Sequence, residues 1–199
     1  MKKLFLCTIA LLLIVGAAGC KKEEAFISID NITADTILAK SNGVLQVATV
    51  EDFEKSYYDL NELKSFIENK IDGYNQKAGA GKITVDAVEI HNGNAIMLLT
   101  YSGMDQYAAF NEASAAYFNG GVTDVPLNLP TTLVTAKNGT LASTQEVLGD
   151  SKLKILVMNE PYDIMVDGTV RYYSENAAYV DSHTVRGAQE GMTVVVYKP

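Results

Sequence analysis

Val85-Asp86-Ala87-Val88-Glu89-Ile90-His91-Asn92-Gly93-Asn94-Ala95-Ile96-Met97-Leu98-Leu99-Thr100-Tyr101 is the stretch on which the fold turns. Two apolar, β-branched runs flank Asn92-Gly93, a pair that tolerates the positive φ angles of a tight two-residue turn. Val85–Ile90 is therefore expected to pair antiparallel with Ala95–Tyr101. The same punctuation recurs at Asn42-Gly43, Asn138-Gly139 and Asp167-Gly168, each between apolar or β-branched runs. At the first of these, Ile37–Ala39 faces Val44–Val47. Four such signals predict a mainly antiparallel sheet.

Two helices are expected between the hairpins. Asp59 is placed to cap exposed amides, with Glu62 three residues on, before Leu63, Phe66, Ile67, Lys70, Ile71 and Tyr74 recur at helical spacing. Gly79-Ala80-Gly81 stops that helix. The spacing predicts a second helix from near Ser102, with Asp105 three places later, through Tyr107, Ala108, Phe110, Ala115 and Phe118 to Asn119-Gly120-Gly121. Residues 35–119 thus read hairpin, helix, hairpin, helix, which is two ββα units in tandem. Gly120–Pro130, with two prolines, reads as a connector. Beyond it lie strand-like runs at Thr131–Ala136, Leu153–Met158, Ile164–Val166, Thr169–Tyr173, Ala178–Val180 and Met192–Tyr197. The expectation is an α+β fold: mainly antiparallel sheet, tandem ββα units, then a β-rich C-terminal part.

The first residues speak to location. Met1-Lys2-Lys3, the apolar run Leu4–Val15 and the small residues Gly16-Ala17-Ala18-Gly19 precede Cys20. A basic start, a short apolar middle and small residues before the cut make an export signal. With a cysteine at the first mature position, the leader resembles the signal of bacterial lipoproteins, although Ala17 stands where that family usually has Leu. The resemblance covers residues 1–20 and implies that the Cys20 thiol receives a diacylglycerol carrying fatty chains such as palmitate. Leu4–Val15 is too short for a spanning helix, which needs about 20 apolar residues. Lipid on Cys20 would then be the membrane anchor, on the extracytoplasmic side of the cell membrane or outer membrane. The domain plan is a signal peptide at 1–19, a tether at 20–25 and an α+β domain at 26–199, with 26–121 and 131–199 as alternative lobes. Five extended tether residues reach about 17 Å, so the domain is expected close to the bilayer, beginning with a strand-like Phe26–Asp30.

Cleavage would remove Lys2 and Lys3 and no acid, taking the net charge from −8 to −10. Such a chain is repelled by nucleic acid. Cys7 leaves with the leader and Cys20 is committed to lipid, so the domain holds no disulfide and depends on its core. Residues 20–199 suffice for that, since domains of about 150 residues already bury roughly 70% of their unfolded surface.

The chemistry-bearing residues are sparse. Glu89 and His91 share one face of a strand, beside a turn. Asp181-Ser182-His183 invites a triad reading, but adjacent strand residues cannot easily form that relay. Gly79-Ala80-Gly81-Lys82 lacks the first glycine and the following Ser or Thr of a phosphate loop, and it ends a helix where such a loop opens one. There is no nucleophile elbow, no spacing that suits zinc or calcium and no cofactor motif, so no catalytic or metal residue is assigned. The tyrosine pairs Tyr57-Tyr58 and Tyr172-Tyr173 are the candidate partner contacts: on strands, one ring of each pair would pack inward and the other stay exposed. The leading expectation is a non-enzymatic lipoprotein that shows an acidic, β-rich surface to a membrane-proximal protein. A ligand-binding lipoprotein serving a transporter, which would need a concave apolar pocket, is the alternative. An envelope hydrolase, which would need two titratable groups meeting in a cleft, is the third reading.

Overall fold

The computed structural model describes residues 25–199 apart from Thr123, Asp124 and Pro126. The leader, Cys20 and the tether up to Glu24 lie outside the described residues. Within them the chain is α+β, with two sheets.

The tandem ββα order is present. Strands β1 (Thr36–Ala39) and β2 (Leu45–Asp52) precede α1 (Leu60–Ala78), and β3 (Ile83–His91) and β4 (Asn94–Tyr101) precede α2 (Met104–Asn111). Asn42-Gly43 turns β1 into β2, which pair antiparallel. Asn92 (φ 51°) and Gly93 (φ 83°) turn β3 into β4, both residues in the left-handed region that a twist-matched two-residue turn requires. Asp59 caps α1 as expected, its carboxylate accepting from the Asn61 and Glu62 amides at 2.7 and 3.2 Å. Gly79, at φ 113°, ends it.

The second helix departs from the expectation. It stops at Asn111, Glu112 takes a left-handed conformation (φ 54°), and Ala115–Asn119 forms strand β5 instead of a last helical turn. Its cap is Gly103, with no side-chain bond from Ser102. Helical spacing and a short aromatic run cannot be told apart over five residues. Pairing with a neighbouring strand decides the outcome here, because β5 joins β8 (Lys154–Met158) along its whole length.

The remaining elements are β6 (Thr132–Thr135), β7 (Leu141–Ser143), the short α3 (Thr144–Leu148), β9 (Asp163–Val166), β10 (Thr169–Tyr173), β11 (Ala178–Tyr179), β12 (Thr184–Arg186) and β13 (Thr193–Lys198). Asn138-Gly139 turns β6 into β7. Asp167-Gly168 makes no hairpin, contrary to the sequence reading: β9 belongs to the seven-stranded sheet and β10 to the six-stranded one. The glycine is needed there for close approach, since a Cβ on Gly168 would stand 2.2 Å from the Lys198 carbonyl oxygen. Asp167 fixes the crossing, its carboxylate accepting from the Ser41 amide and hydroxyl at 2.8 Å each.

The mixed sheet runs β11-β12-β9-β1-β2-β4-β3, and the antiparallel sheet runs β5-β8-β13-β10-β6-β7. β1 and β9 pair in parallel. The two parts of the chain therefore exchange strands, with β9, β11 and β12 in the first sheet and β5 in the second.

Side-chain alternation sorts the core into layers. Between the sheets, Ile37, Val47 and Tyr101 meet Leu156, Val195 and Tyr197 under Ile67 and Ile71 of α1 and Tyr107 of α2. On the outer face of the six-stranded sheet, Ile155, Val157, Val194 and Val196 pack with Leu148 and the connector residues Leu127 and Leu129. On the outer face of the seven-stranded sheet, Leu38, Ala48, Ile96 and Leu98 are covered by Ile27, Ile29 and Ile32. Phe26–Asp30 is thus a covering segment running into a one-turn 3-10 helix at Ile29–Asn31, not the expected strand. Its amide at Ile27 is taken by the Gln46 side chain at 3.1 Å, so it makes no backbone ladder there.

Candidate functional site

β2 leaves its sheet at Asp52, and α1 begins at Leu60. The seven residues between are tied at several points. The Phe53 amide donates to the Gly93 carbonyl at 2.8 Å, the Glu54 amide to the Asp52 carboxylate at 3.0 Å, and the Tyr58 amide to the Lys55 carbonyl at 3.0 Å. Asp59 then serves as the helix cap.

Those ties hold three aromatic rings together at the surface. Phe53 and Tyr58 stack, with centroids 5.0 Å apart and planes at 29°. Tyr57 meets Tyr58 edge-on at 4.9 Å and 72°. The pair lies in a turn, so its rings come together where strand alternation would have parted them. Tyr57 is 75% exposed and Tyr58 43%. The neighbouring Tyr57 foremost, then burial, and lastly the Asp52 and Glu51 carboxylates push the Tyr58 phenol above its ordinary value.

Behind it, a cavity of about 210 Å³ lies between the helices and the seven-stranded sheet. Tyr101, Tyr107 and Tyr162 line it, with Lys70 and Asn111. Burial pushes the Tyr101 phenol up to about 12, against an opposing hydrogen bond from Asn111. Burial raises both the Tyr107 and Tyr162 phenols, which lie within electrostatic reach of each other. Glu51 also adds to the upward push on Tyr162, so one carboxylate is within electrostatic reach of both the knuckle and the cavity. Burial raises the Glu160 carboxyl as well. Phenols held this high stay neutral and donate hydrogen bonds at ordinary pH, which suits binding and positioning better than nucleophilic attack.

The tyrosine pairs of the sequence reading are not brought together. Tyr172 and Tyr173 lie on β10, on opposite faces of the six-stranded sheet: Tyr172 packs on the outer cluster and Tyr173 on the central one. Tyr173 also stacks on Tyr179 at 5.8 Å.

Both histidines sit at turns. His91 Nε2 is 3.2 Å from Glu89 Oε2 beside the β3–β4 turn. The His183 amide donates to the Asp181 carboxylate at 2.7 Å, which turns the chain between β11 and β12 and forms no relay with Ser182. Among the described residues, no three His, Cys, Asp or Glu side chains gather as metal ligands, and no helix is long and apolar enough to cross a membrane.

Sequence reasoning missed the tyrosine cavity, because Tyr101 comes from β4, Tyr107 from α2 and Tyr162 from the β8–β9 connection, and no local spacing links them. It also missed α3, although Ser143 followed by Glu146 three residues later and then Gly149 was a start-and-stop signal available to it.

One distance orients the knuckle. The N-terminal segment enters beside Gln46 at the start of β2, and the knuckle follows Asp52 at its end. Six strand steps separate these points by about 20 Å. No protein-family model, no curated protein and no solved structure matches the chain.

Proposed function

We propose that this protein is a lipid-anchored, extracytoplasmic module that binds a basic surface on a membrane-proximal protein partner through the Phe53–Tyr57–Tyr58 knuckle. The observation that carries the reading is Tyr57: a large ring left mostly in water, yet fixed in place by contact with Tyr58. Rigid exposed tyrosines are favoured contact residues, giving area at low entropic cost. Carboxylates at Glu51, Asp52 and Glu54 make the surroundings negative, which selects a partner rich in Arg or Lys, and Arg also stacks on tyrosine faces. The lipoprotein-like leader supports the location. Ile27 is held at the other end of β2, about 20 Å from the knuckle, so a lipid on Cys20 would leave the knuckle free for a partner standing off the bilayer.

The test is photo-crosslinking from position 57 in intact cells, with a benzophenone amino acid replacing Tyr57. One discrete adduct to an envelope protein is expected, weakened by reversing charge at Glu51 and Asp52 and by raised salt. Cys20→Ala should release the protein from the membrane fraction and lower the adduct. A diffuse smear at position 57, unchanged by the charge reversals, would remove the basis for the reading.

A further inference from the structure

The tyrosine-lined cavity behind the knuckle encloses about 210 Å³. That is smaller than drug-sized sites of about 300–1,000 Å³, and matches the liquid volume of roughly seven waters. One compact ring with a substituent fills such a space. Val47, Met97 and Leu99 of the seven-stranded sheet and Ile67 of α1 give it apolar walls. Water against such walls finds few partners, so an organic occupant displaces it readily.

The second observation is independent of shape: the polar groups of the lining are donors in excess. Tyr101 Oη accepts from the Asn111 side-chain amide at 3.3 Å, which leaves its own proton unspent. The same amide donates to the Tyr107 carbonyl at 3.0 Å, so both its protons are committed. Tyr107 and Tyr162 can at most bond each other, and that uses one hydroxyl proton of the pair. Neither phenol is an orphan sealed in the core: among the described residues, the sealed side-chain atoms without a partner are Thr144 Oγ1 and Asp167 Oδ1. Tyr107 is 1% exposed and lines the cavity, so a proton it does not give to Tyr162 is available there. Unspent buried donors are costly, and native proteins rarely keep them without a use.

We infer that this cavity binds a compact, uncharged molecule with an apolar body and one carbonyl oxygen, which accepts from the Tyr107 and Tyr162 hydroxyls. The apolar walls hold the body. Charge decides against the ions. Lys70 is the charged side chain of the lining, with its ammonium 5.3 Å from the Phe66 ring centroid. A cationic ligand would meet that ammonium and leave the donors unmatched. A carboxylate would face Asp35, Glu51 and Glu160, each within electrostatic reach of the lining phenols. A neutral carbonyl takes the donors and brings no charge out of water. The inference does not depend on the knuckle: crosslinks from position 57 report a protein partner, occupancy of the cavity is read at Met97, and either stands if the other falls.

The probe is benzamide, titrated into the full-length protein in lipid nanodiscs, with its methionine methyl groups labelled with carbon-13 for NMR. The Met97 resonance, assigned by Met97→Leu, should shift and saturate, because Met97 lines the cavity. The Met192 resonance should stay in place, because Met192 packs on the outer face of the other sheet. Benzoate and benzylamine have the same ring, and each should need about tenfold higher concentration for the same shift, since either must shed the hydration of a charge. Tyr107→Phe and Tyr162→Phe keep the ring and delete the hydroxyl, so each should weaken benzamide about fivefold, the weight of one neutral hydrogen bond. An unchanged Met192 resonance verifies the fold of each variant. A Met97 resonance that benzamide does not shift saturably, equal potency of benzoate or benzylamine, or binding undiminished in both phenylalanine variants would each overturn the assignment.

Discussion

Tyr-Tyr occurs at 57–58 and again at 172–173, and the two copies meet opposite fates. The first sits in a connection between a strand and a helix, where the rings gather on each other and face water. The second lies on β10, whose alternation sends one ring into the central core and the other into the outer cluster. The dipeptide is the same, so its composition does not decide exposure. The element that carries it does. A strand between two packed layers has no free face, whereas a turn tied down by its own backbone bonds can hold rings in solvent at little cost to the fold.

The sharpest break in that comparison comes from truncating one ring of each pair. Tyr173→Ala should destabilise the protein by about 3 kcal/mol, because it empties a packed position and removes the stacked partner of Tyr179. Tyr57→Ala should stay within about 0.5 kcal/mol of the parent. Denaturant titrations of both variants check this, and equal losses would abolish the contrast. Asp59→Ala should cost about 1 kcal/mol as a lost helix cap and loosen the knuckle from its helical end, read as faster amide exchange at Tyr58.

The smallest effect concerns pH. Burial holds the Glu160 carboxyl above its ordinary 4.5, so the folded protein keeps that proton longer than the unfolded chain does. The stability this group contributes is therefore complete below 4.5 and falls as pH rises through the folded value. Glu160→Gln should flatten that part of the profile in thermal melts between about pH 4 and pH 7. A parent whose melting temperature shows no decline attributable to Glu160 would contradict it.

Local chemistry made much of the fold legible. Asn-Gly turns located three hairpins, and Asp59 with Gly79 bounded α1 nearly to the residue, because each acts within a few positions of itself. What sequence could not show was assignment by distant partners. Ala115–Asn119 is a strand because β8 is there to receive it, and Asp167-Gly168 crosses between sheets because β13 approaches its backbone. The candidate site follows the same rule. Tyr57 and Tyr58 were visible as a pair, but their shared orientation came from the turn, and the phenols behind them came from three separate parts of the chain.

The side-by-side alignment of β1 with β9 has a temporal consequence. Ser41 and Asp167, which lock that crossing, are 126 positions apart in the chain. Contacts so remote close slowly, because a long loop must be ordered before they repay it. A polypeptide emerging amino end first would expose one flank of β1 until nearly all of it had appeared. During that interval the early half offers bare strand edges, so a holdase waiting at the point of emergence would find its binding surface there.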